Sequence, residues 1–260
     1  MSKKRKKSKF GANVVADISH QQRGGKGPSY LTLPKDVKLF KEKVGRIKVD
    51  ILPYTVELEN HLDYNKDAPD SAHVGNLWYK KPILIHRGIG PERNSYICPK
   101  SAGKTKCPIC EERSRQFADG ADAADVPGRI GKRNIYAVIP IGNKDYEEEV
   151  HIWDIAQGNF QEQLNQDLEE SPESGIFPDL EDGLTLSIRF SEESFDKNKY
   201  AKATRIDFKD RDETYDEEIL DEVPHLDSII NVLSYKELEA AFLELDEEDE
   251  DKDEDEEEEK

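Results

Sequence analysis

Three cysteines stand between positions 98 and 110 of a 260-residue chain, and none stands elsewhere. Cys107 and Cys110 form Cys-Pro-Ile-Cys, a spacing that puts two thiolates on one tight turn able to grip a single tetrahedral metal ion. Cys98 lies earlier, across the polar stretch PKSAGKTK, which can loop back. Four-coordinate zinc needs one more ligand. His86 closes the apolar run PILIH, where a strand would deliver its ring at a fixed place. His73 and His61, upstream in polar sequence, are weaker candidates. A redox Cys-x-x-C ordinarily follows a strand and opens a helix in a βαβ unit, whereas this pair follows a Lys-rich loop. Cysteine also serves as a buried apolar residue. Neither alternative accounts for a third thiol beside the pair. A catalytic zinc needs an open position and a general base. Glu111 reads more simply as a solvated charge on a short helix.

Cations crowd the same region. Arg87, Arg93, Lys100, Lys104, Lys106, Arg113 and Arg115 surround the thiols, with Tyr96 among them. Downstream, RIGKRNIY sets Arg129, Lys132 and Arg133 near Tyr136. Upstream, NLWYKK sets Trp78 and Tyr79 beside Lys80 and Lys81. Cations that track phosphates and rings that stack on unpaired bases are what a single-stranded nucleic-acid groove needs. Strand aromatics are equally at home in a core. Three such clusters together favour binding.

The elements that must position these groups are mostly strands. GRIKVDIL alternates apolar Ile47, Val49 and Ile51 with polar neighbours, the period of a half-buried strand. LWYKKPILIH, NIYAVIPI, EVHIWDI, LTLSIRF and YAKATRIDF add five more. NFQEQLNQDLEE spaces Phe160, Leu164 and Leu168 as one helix face. SYKELEAAFLEL places a capping box, Ser234 and Glu237, before a face of Leu238, Ala241, Phe242 and Leu245. Many short strands with few helices predict a small barrel or sandwich with inserts.

The net charge of −19 hides a division: the first 145 residues carry +12 and the remainder −31. Residues 1–27 read as a flexible basic arm and 246–260, carrying −11, as a disordered acidic tail. The terminal helix spans 234–245. There is no apolar run of membrane-spanning length and no signal-peptide pattern, so the reading is a soluble intracellular protein. No phosphate loop, His-Glu-x-x-His or paired His-carboxylate set points to catalysis. SAGKT at 101–105 lacks the spacing and the strand–loop–helix context of a phosphate loop.

In order and in local wording the chain resembles the zinc-containing single-stranded DNA-binding proteins of T-even-type phages, the gene 32-type helix-destabilising family. The resemblance rests on VDILP, ILIHRG, YIC, KCPIC, KRNIYAVIPI and IWDI followed by an acidic C-terminus, over roughly residues 45–210. It implies a mainly β (α+β) chain: an OB-fold core over 28–233 with an inserted zinc-binding subdomain near 74–130. It implies one Zn²⁺ held by His86, Cys98, Cys107 and Cys110, and single-stranded DNA in the cleft between subdomain and core. DNA contacts are expected from Trp78, Tyr79, Arg93, Tyr96, Lys104, Lys106, Arg129, Lys132, Arg133 and Tyr136. Lys3, Lys4, Arg5, Lys6 and Lys7 are expected to serve cooperative self-association, although only Ser8 follows them where the family has two hydroxyl residues. The acidic tail would recruit replication, recombination and repair proteins in the cytoplasm of the host bacterium. A zinc-ribbon module binding proteins or RNA is the competing expectation.

Overall fold

The computed structural model describes residues 30–90, 93–123, 125–196 and 198–243. The basic arm with Lys3–Lys7, the acidic tail and Leu245 lie outside them. The protein is mainly β around one large sheet. Its strands are β1 (Lys38–Phe40), β2 (Gly45–Leu52), β5 (Lys81–Ile89), β6 (Asn94–Ile97), β7 (Arg129–Pro140), β8 (His151–Ala156), β9 (Leu184–Phe195) and β10 (Asn198–Asp210). A separate two-stranded ribbon pairs β3 (Tyr54–Thr55) with β4 (Leu77–Trp78). The helices are α1 (Pro108–Ala118), α2 (Gln161–Glu170) and α3 (Tyr235–Leu243). Among the described residues no helix is long and apolar enough to cross a membrane.

The sheet order is β1-β8-β7-β2-β9-β10, with β5 and β6 branching from β7. All pairs are antiparallel except β1 with β8. Strand β7 organises the whole. Its first half pairs with β5, Arg129 opposite Arg87 through Ile135 opposite Lys81. Its second half pairs with β2, Ala137 opposite Leu52 through Pro140 opposite Val49. Strand β8 takes the other edge, from Arg133 to Val138. One strand thus runs from the region of the thiols into the centre of the molecule.

Both faces of β7 are covered there, which explains why NIYAVIPI is a continuous apolar run rather than an alternating one. Ile135, Ala137 and Ile139 face a core with Leu52, Ile83, Ile85, Ile152, Leu226 and Ile229. Tyr136 and Val138 face another with Val49, Ile51, Trp153, Leu186 and Ile188. Helix α2 closes that second core with Phe160 and Leu164 fully buried and Leu168 at its margin, the face that the spacing predicts. A third, smaller cluster holds Ile89, Cys98, Cys107, Ile109 and Leu238.

The stretch LWYKKPILIH, expected as one strand, is two. Leu77–Trp78 belongs to the ribbon, and a new strand begins at Lys81. The turn is fixed by charge: Lys80 pairs with Asp63 at 3.1 Å and fully buried Lys81 with Asp227 at 2.7 Å.

Candidate metal centre and its surroundings

Strands β5 and β6 and the start of α1 bring the four candidate ligands together. His86 is fully buried on β5, opposite Tyr96 on β6 and Ile130 on β7. Cys98 follows the end of β6, where its N–H donates to the Leu84 carbonyl at 2.8 Å. The chain then makes a short 3-10 turn, Pro99–Ala102, that Ser101 pins by accepting from the Leu84 N–H at 2.8 Å. Gly103 ends the turn with φ 71°, and a Cβ there would stand 2.5 Å from the Glu59 carbonyl oxygen, so no other residue fits without a backbone shift. Cys107 is the N-cap of α1, Pro108 occupies the first helical turn, and Cys110 follows on it. A helix N-terminus carries partial positive charge and favours the thiolate form.

The ligand atoms of His86, Cys98, Cys107 and Cys110 all lie within 4.8 Å of one another. The His86 Nε2 atom is 3.3 Å from the Cys107 sulfur and 3.7 Å from that of Cys110. The Cys98 and Cys110 sulfurs are 3.7 Å apart. A tetrahedral ion with metal–sulfur bonds of about 2.3 Å needs sulfur–sulfur edges of about 3.8 Å. The group can therefore hold one metal ion. The opposite ring nitrogen, His86 Nδ1, lies 3.1 Å from the Gly128 carbonyl oxygen, to which it donates. That bond fixes the tautomer leaving Nε2 free to ligate.

The acid–base behaviour agrees with a shared negative charge. Hydrogen bonds from Cys107 and Cys98 push the Cys110 thiol down, and hydrogen bonds to Cys107 and Cys110 push that of Cys98 up. Burial alone would lower His86, but the neighbouring sulfurs and the Gly128 carbonyl lift it to about 9. A divalent cation would hold all three sulfurs as thiolates. His61 and His73 are elsewhere. His61 Nε2 meets the Tyr54 hydroxyl at 3.0 Å, and His73 Nε2 donates to the Asn65 and Ala68 carbonyls. Sequence reasoning missed Gly128, for which the turn-forming Pro127-Gly128 pair before β7 was the available signal. It also missed Leu238 of α3 as part of the wall behind Cys98 and Cys107.

The expected DNA-contact residues divide. Arg93, Lys104, Lys106, Arg129 and Lys132 are exposed. Tyr96 is half-buried beside the thiols. Trp78 and Tyr79 are half-buried against the two larger cores, with the Trp78 indole N–H donated to Asp63 and the Tyr79 hydroxyl accepting from Gln161. Arg133 is committed to Asp154, donating to its carboxylate at 2.6 Å and to its carbonyl at 2.9 Å.

Tyr136 corrects the expectation. It is 0 % exposed, packed edge-on against Phe160 and hydrogen-bonded to Gln161, because β7 buries both faces at that point. Its ring is a core ring and offers no face to a base. Lys132 and Arg133 likewise cannot line one groove side by side, since neighbours on a strand point to opposite faces. Lys80 and Lys81, beside Trp78 and Tyr79, are buried ion-pair partners rather than surface cations. The sequence matches no model of a known protein family and no characterised protein.

Proposed function

We propose that the protein binds single-stranded DNA without catalysing a reaction on it, and that zinc shapes the binding surface. The observation that carries this reading is the His-Cys₃ group itself. Three sulfurs and one imidazole at tetrahedral spacing suit zinc, and four protein donors leave no open position for a substrate. The group joins β5, the end of β6 and the start of α1, and Arg93, Lys104, Lys106, Arg129 and Lys132, on the loops beside it and on β7, are exposed. Such cations neutralise phosphates, while half-buried Tyr96, Trp78 and Tyr79 are the rings expected to meet bases. Affinity then comes from backbone charge and stacking, with weak sequence preference. We read the sheet around β7 as an OB-type core and the metal-linked unit as the second wall of the cleft. On this reading the Lys3–Lys7 segment serves self-association and the acidic tail recruits replication, recombination and repair proteins.

Titration with oligo-dT and with duplex of the same length, at low and moderate salt, tests the function. Preference for the single strand with a steep loss of affinity as salt rises is the expected result. Equal or absent binding would overturn it in favour of a zinc-ribbon module acting on proteins or RNA. One zinc per chain, and a cobalt spectrum of a tetrahedral three-sulfur, one-nitrogen site, are expected from the metal analysis.

A further inference from the structure

Three arginines share one face of the sheet, the face opposite to His86, and only one is neutralised. Along β7, Arg129, Gly131 and Arg133 point the same way, and Arg87 on β5 stands directly opposite Arg129. Arg133 is held by Asp154. Among the described residues neither Arg87 nor Arg129 has an acidic partner, and both are exposed. Like charges directly opposite each other destabilise an antiparallel pair.

Gly131 adds a second, independent observation. A strand interior gains nothing from glycine except room for something to approach. Here the occupant is identified: a Cβ on Gly131 would stand 3.2 Å from Arg87 Nε and 3.3 Å from its Cζ and one terminal nitrogen. The Arg87 guanidinium therefore lies across β7 at the position where a side chain would be. The pairing of β5 with β6 also shifts register between Arg87 and Ile89, at Gly88 with φ 73°, a bulge of the kind that re-aims a neighbouring side chain. Glycine and register together place the Arg87 guanidinium over β7, beside the position from which Arg129 projects on the same face.

The geometry points to a two-arginine fork, Arg87 over Gly131 with Arg129 opposite, that grips one phosphodiester of the bound DNA strand. This rests on the reading of the protein as a single-strand binder and assigns this face of the sheet a specific phosphate subsite. Guanidinium forks match phosphate oxygens in pairs, which an ammonium does not. The phosphate relieves the repulsion that the unliganded pair bears.

The test uses the full chain, oligo-dT as probe, and the variants Arg87→Gln, Arg129→Gln, their combination and Gly131→Ala. Each Gln variant is expected to bind about tenfold more weakly at low salt and to lower the salt slope by about 0.7. The double variant should lose less than the product of the two, because both grip one phosphate. Gly131→Ala should displace the guanidinium and reproduce part of the Arg87→Gln loss. Without DNA at low salt, Arg87→Gln should melt about 1–2 °C higher, since a facing like charge is gone. A structural arginine would lower the melting temperature instead. If wild type prefers oligo-dT but Arg87→Gln keeps its affinity and salt slope, the fork is wrong and the binding function stands. If wild type shows no preference for oligo-dT, both fall together.

Discussion

His86 Nδ1 lies 3.1 Å from the Gly128 carbonyl oxygen, on the opposite side of the ring from the Cys107 and Cys110 sulfurs. The residue that holds the imidazole is a glycine for two reasons: its φ is 71°, and a Cβ would stand 2.5 Å from Ile109 Cγ2 on α1. Gly128→Ala therefore moves the carbonyl while leaving all four ligands in the sequence. Metal affinity should fall roughly 10–100-fold, the usual cost of losing an outer partner of a ligating histidine. Competition with a chromophoric chelator measures it. Wild-type affinity in this variant would show that the Gly128 bond is incidental. His86→Ala should lose more, because a ligand is gone.

Tyr136 and Lys132 separate core from surface on one strand. Tyr136→Ala should cost about 3–5 kcal/mol in urea denaturation, the range for emptying an aromatic site in a packed core. It should leave the salt slope of DNA binding unchanged. Lys132→Ala, at an exposed position, should stay within about 0.5 kcal/mol of wild-type stability and lower the slope by about 0.7. The reverse pattern would return Tyr136 to the binding surface.

These two residues also show what a sequence can and cannot disclose. The thiol part of the site was legible because Cys-x-x-C with a third thiol beside it is a local pattern; the fourth place stayed open among His86, His73 and His61, and β5 decides it by bringing His86 among the sulfurs. The strands at 45–52 and 184–190 and the helix face of Phe160, Leu164 and Leu168 were legible from periodicity. Tyr136 was misread because composition cannot tell a ring beside cations on a surface from a ring beside cations on a strand buried on both faces. That distinction depends on β8 and β2 flanking β7, a long-range fact. The same holds for Lys81, whose partner Asp227 lies far along the chain. The short strands β1 and β6 escaped because three or four residues carry too little pattern to register.

The buried polar group around Lys81 makes a pH prediction. Asp227 forms an ion pair with Lys81 at 2.7 Å and accepts from the Glu57 and Leu58 N–H groups at 3.0 and 3.2 Å, tying the segment before Ile229 to β5 and to the chain just after β3. His61 Nδ1 accepts from the Asp63 N–H, so Nε2 carries the hydrogen and donates it to Tyr54. Burial, helped by the Lys81 charge, pushes His61 down to about 4. The unfolded chain then takes up a proton near pH 6.5 that the folded protein refuses until about pH 4. Stability is full above that window and falls as pH drops through it, by about 3 kcal/mol. For Asp227, burial alone would raise the carboxyl, but Lys81 overrides it and holds the group below its ordinary value. Its contribution is lost only at still lower pH. Urea denaturation between about pH 7 and pH 4 should show the His61 loss, and His61→Gln should flatten it. An unchanged slope in that variant would assign the loss to other groups.

Lys81→Met tests the same group at neutral pH. It leaves the Asp227 charge buried without its partner and should cost about 3–5 kcal/mol. The double variant Lys81→Met with Asp227→Leu should recover much of that loss, since removing both charges also removes their desolvation. Failure to recover would mean that the Asp227 bonds to the Glu57 and Leu58 N–H groups dominate.

Helix α3 provides the final prediction. Its capping box is formed: the Ser234 N–H donates to Glu237 at 2.8 Å and the Glu237 N–H to Ser234 Oγ at 3.3 Å. Leu238 is fully buried in the cluster that holds Cys98, Cys107 and Ile109, and the Tyr235 hydroxyl donates to Glu111 at 2.8 Å. The described span of α3 is nine residues, and a segment of that length takes its order from this contact. Docking of α3 and retention of the metal should therefore support each other. Leu238→Ala should cost about 2–5 kcal/mol of local stability. Amides of α1 and α3 should then exchange faster, and chelator should withdraw the metal more quickly, while β2, β7 and β9 keep their protection. Tyr235→Phe, which deletes one exposed hydrogen bond, should change release by a factor of two or so at most, from the roughly 0.5 kcal/mol such a bond is worth. If Leu238→Ala frees α3 without hastening metal release, the helix is a passive cover and the thiolate cluster stands on β5, β6 and α1 alone.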